Sequence, residues 1–133
     1  MDIKLNQKQQ NELNLFLDNK NEKLQKLLSI SSISSFSFSK EEIDRIEKAF
    51  IQNRDIRECI YIYIGEAVIK NLGGFWSIGK FKKDEAYNLP IILGWGENDY
   101  SPRICPDVWL KRIERNGLGK TLGDLIFSLK ECS

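Results

Sequence analysis

The sequence predicts an α+β fold, mainly helical, with about five helices around one small antiparallel β-hairpin. Three observations carry this reading. Apolar residues recur at three- and four-residue spacing over Asn6 to Leu28 and again over Asn53 to Leu72, the pattern of helices with a buried stripe. Ser39 and Thr121 each stand three residues before an acid, Glu42 and Asp124, at the head of an apolar run, which is the signature of a capping box. Between them "FWSIGKF", a polar "KKDEAYN" and "LPIILGW" read as two strands and their turn.

The first helix places Leu13, Phe16, Leu17, Leu24, Leu27 and Leu28 on one stripe. "SISSISSFSFS" follows, and its seven serines suggest a flexible linker. Ile30, Ile33, Phe36 and Phe38 argue instead for a tethered connection whose apolar residues dock on the core. Ser39 then caps a second helix with Ile43, Ile46 and Phe50 inward. The run "NRDIRECIYIYIGEAVIKNLGG" has apolar residues around more than half of a helical circumference, so this third helix is expected at the centre. Gly73-Gly74 ends it, because glycine takes the left-handed conformation that other residues resist. Pro90 lacks an N–H and suits a strand start or edge. "GENDYSPRI" reads as a surface loop. Pro106 to Arg115 forms a short helix with Val108, Trp109 and Ile113 apolar, Asn116-Gly117 ends it, and a last helix carries Leu122, Leu125, Ile126 and Leu129 inward.

At 133 residues the chain is read as a single domain, 1–133, with a helical part over 1–53 and the central helix, hairpin and C-terminal helices over 54–133. Lys and Arg number 20 against 19 Asp and Glu, a formal net charge of +1, so the basic excess of a nucleic-acid or anionic-membrane binder is missing. No apolar run approaches the ~18 residues of a spanning helix, and the start lacks a signal-peptide core, so a cytoplasmic location is expected. Cys59, Cys105 and Cys132 are dispersed and form no C-x-x-C pair. Cys59 is expected as a small core residue.

The sequence contains no histidine. That removes Ser-His-Asp and Cys-His nucleophile pairs, imidazole acid–base catalysis and His-ligated metal sites. No P-loop stretch occurs, and "GWGENDY" lacks the third glycine of a dinucleotide fingerprint. No cofactor and no metal are expected. Carboxylate chemistry is left: Glu66, beside Gly65 on the central helix, is the best acid, with Glu97 and Asp99 as partners in a pocket near Glu66. The structural alternative has Gly65 admitting a close neighbour while Glu66 brackets a backbone N–H or an arginine such as Arg112. Trp76 is expected to seal the corner between helix and hairpin, and Trp109 to face inward. Trp95, between two glycines, is expected to be exposed. With Glu97, Asp99 and Tyr100 it has the composition of an interaction hot spot. Lys80, Lys82 and Lys83 read as a solvated turn.

The stretches "GEAVIKNLGGFW" and "LPIILGWGENDYSPRICPDVWLKRIERNG" together resemble small uncharacterised bacterial domains, some of which look like immunity proteins encoded beside secreted polymorphic toxins. The resemblance covers Gly65 to about Gly117. Gly65, Glu66, Gly73, Gly74 and Trp76 carry it as fold-determining positions. It implies a non-catalytic cytosolic domain, monomer or homodimer, that binds and blocks a cognate toxin without nucleic acid or membrane. A carboxylate-based enzyme or small-ligand binder, and an adaptor subunit of a larger assembly, are the alternatives.

Overall fold

The computed structural model describes residues 5–96, 102–115 and 117–132, the side chains of the last two excepted. In chain order the elements are α1 (Gln7–Ser31), α2 (Lys40–Gln52), a single 3-10 turn (Arg54–Ile56), α3 (Arg57–Leu72), β1 (Phe75–Ile78), β2 (Pro90–Leu93), α4 (Pro106–Arg115) and α5 (Leu122–Cys132). The mainly helical α+β fold is therefore what the chain adopts, with five α-helices and one two-stranded antiparallel sheet among the described residues. No helix among them is long and apolar enough to cross a membrane.

The centre is α3. Ile60, Tyr63, Ile64, Ala67 and Val68 have almost no exposed surface. The helix is covered by α1, α2, α4, α5 and the hairpin on different sides. Burial of Ile60, Ile64 and Val68 stabilises the fold by about 1.5–3 kcal/mol each relative to leaving them in water. Gly73 stops the helix with φ 84°, its N–H bonded to the Ile69 carbonyl at 2.9 Å. Gly74 continues the turn at φ 104°, with no room for a side chain against the Leu93 carbonyl. The strand register then sets Phe75 opposite Leu93, Trp76 opposite Ile92, Ser77 opposite Ile91 and Ile78 opposite Pro90. Gly96 N–H closes the unit by donating to the Leu72 carbonyl at 2.7 Å.

α1 begins at a complete capping box. The Asn6 side chain accepts from Gln9 N–H at 2.8 Å, and the Gln9 side chain accepts from Asn6 N–H at 3.1 Å. Gln9 is buried, and its amide also donates to Asn88 Oδ1 at 3.0 Å, so it latches the start of α1 to the hairpin connection. Leu13 and Leu27 are buried, with Phe16 and Leu24 against the same core. Leu17, assigned to this stripe by spacing, is 37% exposed and lies at its margin. Ile30 is likewise exposed rather than docked, because α1 runs through it to Ser31.

The serine-rich connection is tied down as expected through Ile33, Phe36 and Phe38. Phe36 and Phe38 pack on the Tyr63 ring with centroids 5.0 and 5.2 Å away. Asn71 holds the Phe38 carbonyl at 3.0 Å. Ser39 does cap α2, accepting from Glu42 N–H at 3.2 Å. The reciprocal half of the expected box is replaced: Glu42 reaches past the cap to accept from the N–H groups of Ser37 and Phe38, both at 2.9 Å, and from the buried Tyr63 hydroxyl at 2.8 Å. The box expected at α5 is also half-formed. Thr121 accepts from Asp124 N–H at 3.1 Å, but the Asp124 carboxylate pairs with Lys40. Carboxylates from α2 complete that helix start, Glu47 accepting from Leu122 N–H and Asp44 from Gly123 N–H, each at 2.8 Å. They face the positive end of the helix dipole.

Glu42 gives a prediction. Burial alone raises its carboxyl, but the Ser37 and Phe38 N–H groups, the Tyr63 hydroxyl and the Ser37 hydroxyl together hold it below the ordinary carboxylate range. A depressed folded-state value stabilises the fold above the unfolded value of about 4.3, and that contribution disappears as pH falls through the folded value. Glu42→Ala leaves the Tyr63 hydroxyl buried without its acceptor and should cost about 1–3 kcal/mol at neutral pH in chemical denaturation. Glu42→Gln should make the fall of Tm on acidification below about pH 5 shallower than in the parent chain.

Candidate functional site

Where α1, α3 and the hairpin meet, the sequence places aromatic residues on three different elements. The Trp76 ring lies on the backbone of α3 at Gly65. A methyl group placed there would fall 2.0 Å from both Cη2 and Cζ2 of the indole, so no residue with a side chain fits. Its Nε1–H donates to Glu66 Oε2 at 3.0 Å, and the other oxygen of Glu66 pairs with Lys20 Nζ of α1, also at 3.0 Å. Phe16 packs on the indole with centroids 4.7 Å apart, and Tyr61 stacks along it at 6.4 Å. Glu66 thus brackets an indole and a lysine, where sequence spacing suggested a backbone N–H or Arg112. Both its oxygens are occupied by structural partners.

Beside this junction an apolar groove of about 380 Å³ runs between α1 and α3 to the hairpin. Leu15, Phe16, Tyr61, Ile62, Ile78 and Pro90 form its apolar walls. Glu12, Asn19, Lys23, Arg57, Glu58 and Asn88 stand among and around them. This differs from the pocket expected near Glu66: Glu66 does not line the groove, because its side chain is turned to Trp76 and Lys20. The Tyr61 hydroxyl donates to the Pro90 carbonyl at 2.6 Å, and burial pushes it well above the usual phenol range. Arg57 ends the groove on the α4 side. It bonds Asp107 and Glu114 at 2.9 Å each, and these bonds outweigh the burial that acts against its charge. Lys23 of α1 and Glu58 of α3 form an ion pair among the groove's lining residues. No group of three or more Cys, Asp or Glu among the described residues could hold a metal ion.

The hot spot expected at Trp95 needs correction. Trp95 is only 6% exposed, and its Nε1–H donates to the Pro102 carbonyl at 2.6 Å. It packs into the main core, because the chain at Gly94 (φ 70°) and Gly96 (φ 72°) turns the residue between them inward. Glu97, Asp99 and Tyr100 lie outside the described residues. The exposed aromatic at this end of the hairpin is Phe75, 57% exposed, with its ring against Gly94. The strand alternation that sends Trp76 to α3 sends Phe75 outward. Read with that period in mind, the sequence contained the signal. Trp109 is half-buried against the core, and the fully buried residue of α4 is Leu110, which the helix spacing had not singled out. Cys59 is buried, as its apolar neighbours imply.

No family model, curated protein or solved structure matches the chain.

The junction predicts non-additive mutants. Gly65→Ala forces the indole off α3 and should destabilise by about 1–3 kcal/mol, and Trp76→Ala by about 3–5 kcal/mol. In the double variant the new methyl meets no ring, so the combined loss should fall short of the sum by about 1 kcal/mol or more in denaturant melts.

Proposed function

We propose that this chain is a non-catalytic, cytosolic protein-binding domain of the immunity type, which blocks a cognate bacterial toxin by covering it. The observation that supports this best is Phe75: a large aromatic side chain held in water at the end of a short, braced hairpin. Aromatic anchors ringed by polar residues supply most of the energy of many interfaces. Next in sequence after Gly96 come Glu97, Asp99 and Tyr100, which add negative charge and a second aromatic. A surface of that composition would suit a basic cleft, and acidic charge speeds association and selects against wrong partners. Phe75 replaces Trp95 as the anchor in this reading, since a buried indole cannot meet a partner.

Histidine's absence weighs in the same direction, because it leaves carboxylates and thiols to do any chemistry. Glu66, the acid best placed by sequence, is engaged on both oxygens in holding the hairpin.

The test is co-expression with the product of the adjacent gene, followed by co-purification and rescue of growth. The parent chain should form a complex and relieve toxicity. Phe75→Ala should weaken binding by about 2 kcal/mol or more, roughly 30-fold, with the melting curve little changed. Glu97→Lys combined with Asp99→Lys should slow association chiefly, an effect that shrinks at high salt. A parent chain that neither binds nor protects against a toxic neighbour contradicts the reading.

A further inference from the structure

At the turn end of the hairpin the chain runs Lys80-Phe81-Lys82-Lys83. Spacing alone reads Phe81 as the end of the first strand and the lysines as a solvated turn. The strand stops at Ile78, and Phe81 lies beyond it with 62% of its surface in water. Lys82 and Lys83 are exposed and Lys80 is half-buried. None of the three makes an ion pair among the described residues, whereas Lys20, Lys23, Lys40 and Lys111 each meet a carboxylate. The nearest acid in sequence, Asp84, is taken on both oxygens by Arg103, at 2.9 and 2.6 Å. That leaves Glu85 as the turn's own countercharge against the three lysines. A formal net charge of +1 for the whole chain conceals this local excess.

The turn is also braced, so Phe81 is held where it is. Asp84 N–H donates to the Phe81 carbonyl and Tyr87 N–H to the Asp84 carbonyl, each at 3.0 Å. Ala86 is fully buried and folded back on Gly79, where a side chain would fall 2.0 Å from the Ala86 carbonyl oxygen. Gln9 of α1 fixes Asn88 at the return of the connection. An apolar ring fixed in water with cations on both sides in sequence fits a partner that is apolar at depth and negative at its surface. Single-stranded nucleic acid takes a basic groove with several aromatics in succession, and this turn offers one ring. An anionic bilayer lays a broad sheet of charge over an apolar layer. A turn meets it with one inserted ring, while the lysines keep their ammonium groups at headgroup level.

We propose that Lys80, Phe81, Lys82 and Lys83 form a contact site for an anionic lipid surface, with Phe81 entering below the headgroups and the lysines meeting their phosphates. Each lysine near such a surface strengthens binding about fivefold. One ring and three lysines give a weak, reversible association rather than an anchor. Phe75 stands at the opposite end of the hairpin, where it pairs with Leu93, while Ile78 pairs with Pro90 at the turn end. The lipid contact therefore leaves the surface assigned to a protein partner free.

The test is co-sedimentation of the full chain with vesicles of phosphatidylcholine, alone or mixed with phosphatidylglycerol, at millimolar lipid and low salt. The parent chain should bind the anionic vesicles at least about tenfold better than the neutral ones, and high salt should remove most of the difference. Lys80→Gln, Lys82→Gln and Lys83→Gln combined should bring binding down to the neutral-vesicle level. Phe81→Ser should weaken it about fivefold. Both variants should keep the parent circular dichroism spectrum and melting curve, because no ion pair or core contact rests on these side chains. Phe81→Trp should retain binding, with its emission shifted to the blue by anionic vesicles alone. Equal binding of the parent chain to both kinds of vesicle overturns the proposal, as does anionic-vesicle binding indifferent to the triple substitution. Tighter retention on a single-stranded oligonucleotide or on polyglutamate, at matched charge, overturns lipid as the occupant. An unshifted emission from the bound Phe81→Trp variant overturns insertion of the ring. Phe75→Ala should leave vesicle binding unchanged, so this proposal and the protein-binding reading fail separately.

Discussion

The tertiary structure turns on one contact, the indole of Trp76 pressed on the bare backbone of α3 at Gly65. It is set by exclusion: the ring occupies the space a side chain would need. The bond from its nitrogen to Glu66, and from Glu66 to Lys20, then links three elements that are distant in sequence. Helix α1 is oriented by that linkage and by the Phe16–Trp76 contact. The groove is framed where α1 is held at the junction by an aromatic cluster, with Phe16 edge-on to Tyr61 at 6.1 Å, and at its start by Gln9. The same contact decides what is outside. In a strand, successive side chains point to opposite faces, so an inward Trp76 requires an outward Phe75.

The second organising feature is the use of acids as caps across elements. Glu42 satisfies the backbone of the chain entering α2 and the hydroxyl of a tyrosine at the centre of α3. Asp44 and Glu47 do the same for the first turn of α5. Orphan N–H groups at a helix start need acceptors, and here the acceptors come from a neighbouring helix. Packing α2 on α5 therefore completes two elements at once. It also explains how a serine-rich connection stays in place: its backbone donors end on Glu42 and its phenylalanines on Tyr63.

Phe75 and Leu15 are apolar groups kept in water by rigid surroundings. Phe75 projects from a hairpin pinned at Trp76 and Gly96, and Leu15 from a helix pinned at Gln9 and Lys20. Pre-organised anchors lose little freedom on binding, which favours recognition by shape and surface charge.

Sequence alone determined the elements: α4 begins and ends as read, Ser39 and Thr121 cap the helices they were assigned, and α3 is central because its apolar residues leave no free face. Those properties depend on spacing and on the residues that cap or break a helix, which are local. It also supplied Gly65 as a place of close approach, without naming the neighbour. Whether Trp95 or Phe75 faces water, whether Glu66 meets Arg112 or Lys20, and which side of α1 keeps an uncovered leucine were decided by tertiary structure. Each depends on which distant segment occupies a shared volume, and no periodicity within a single element encodes that.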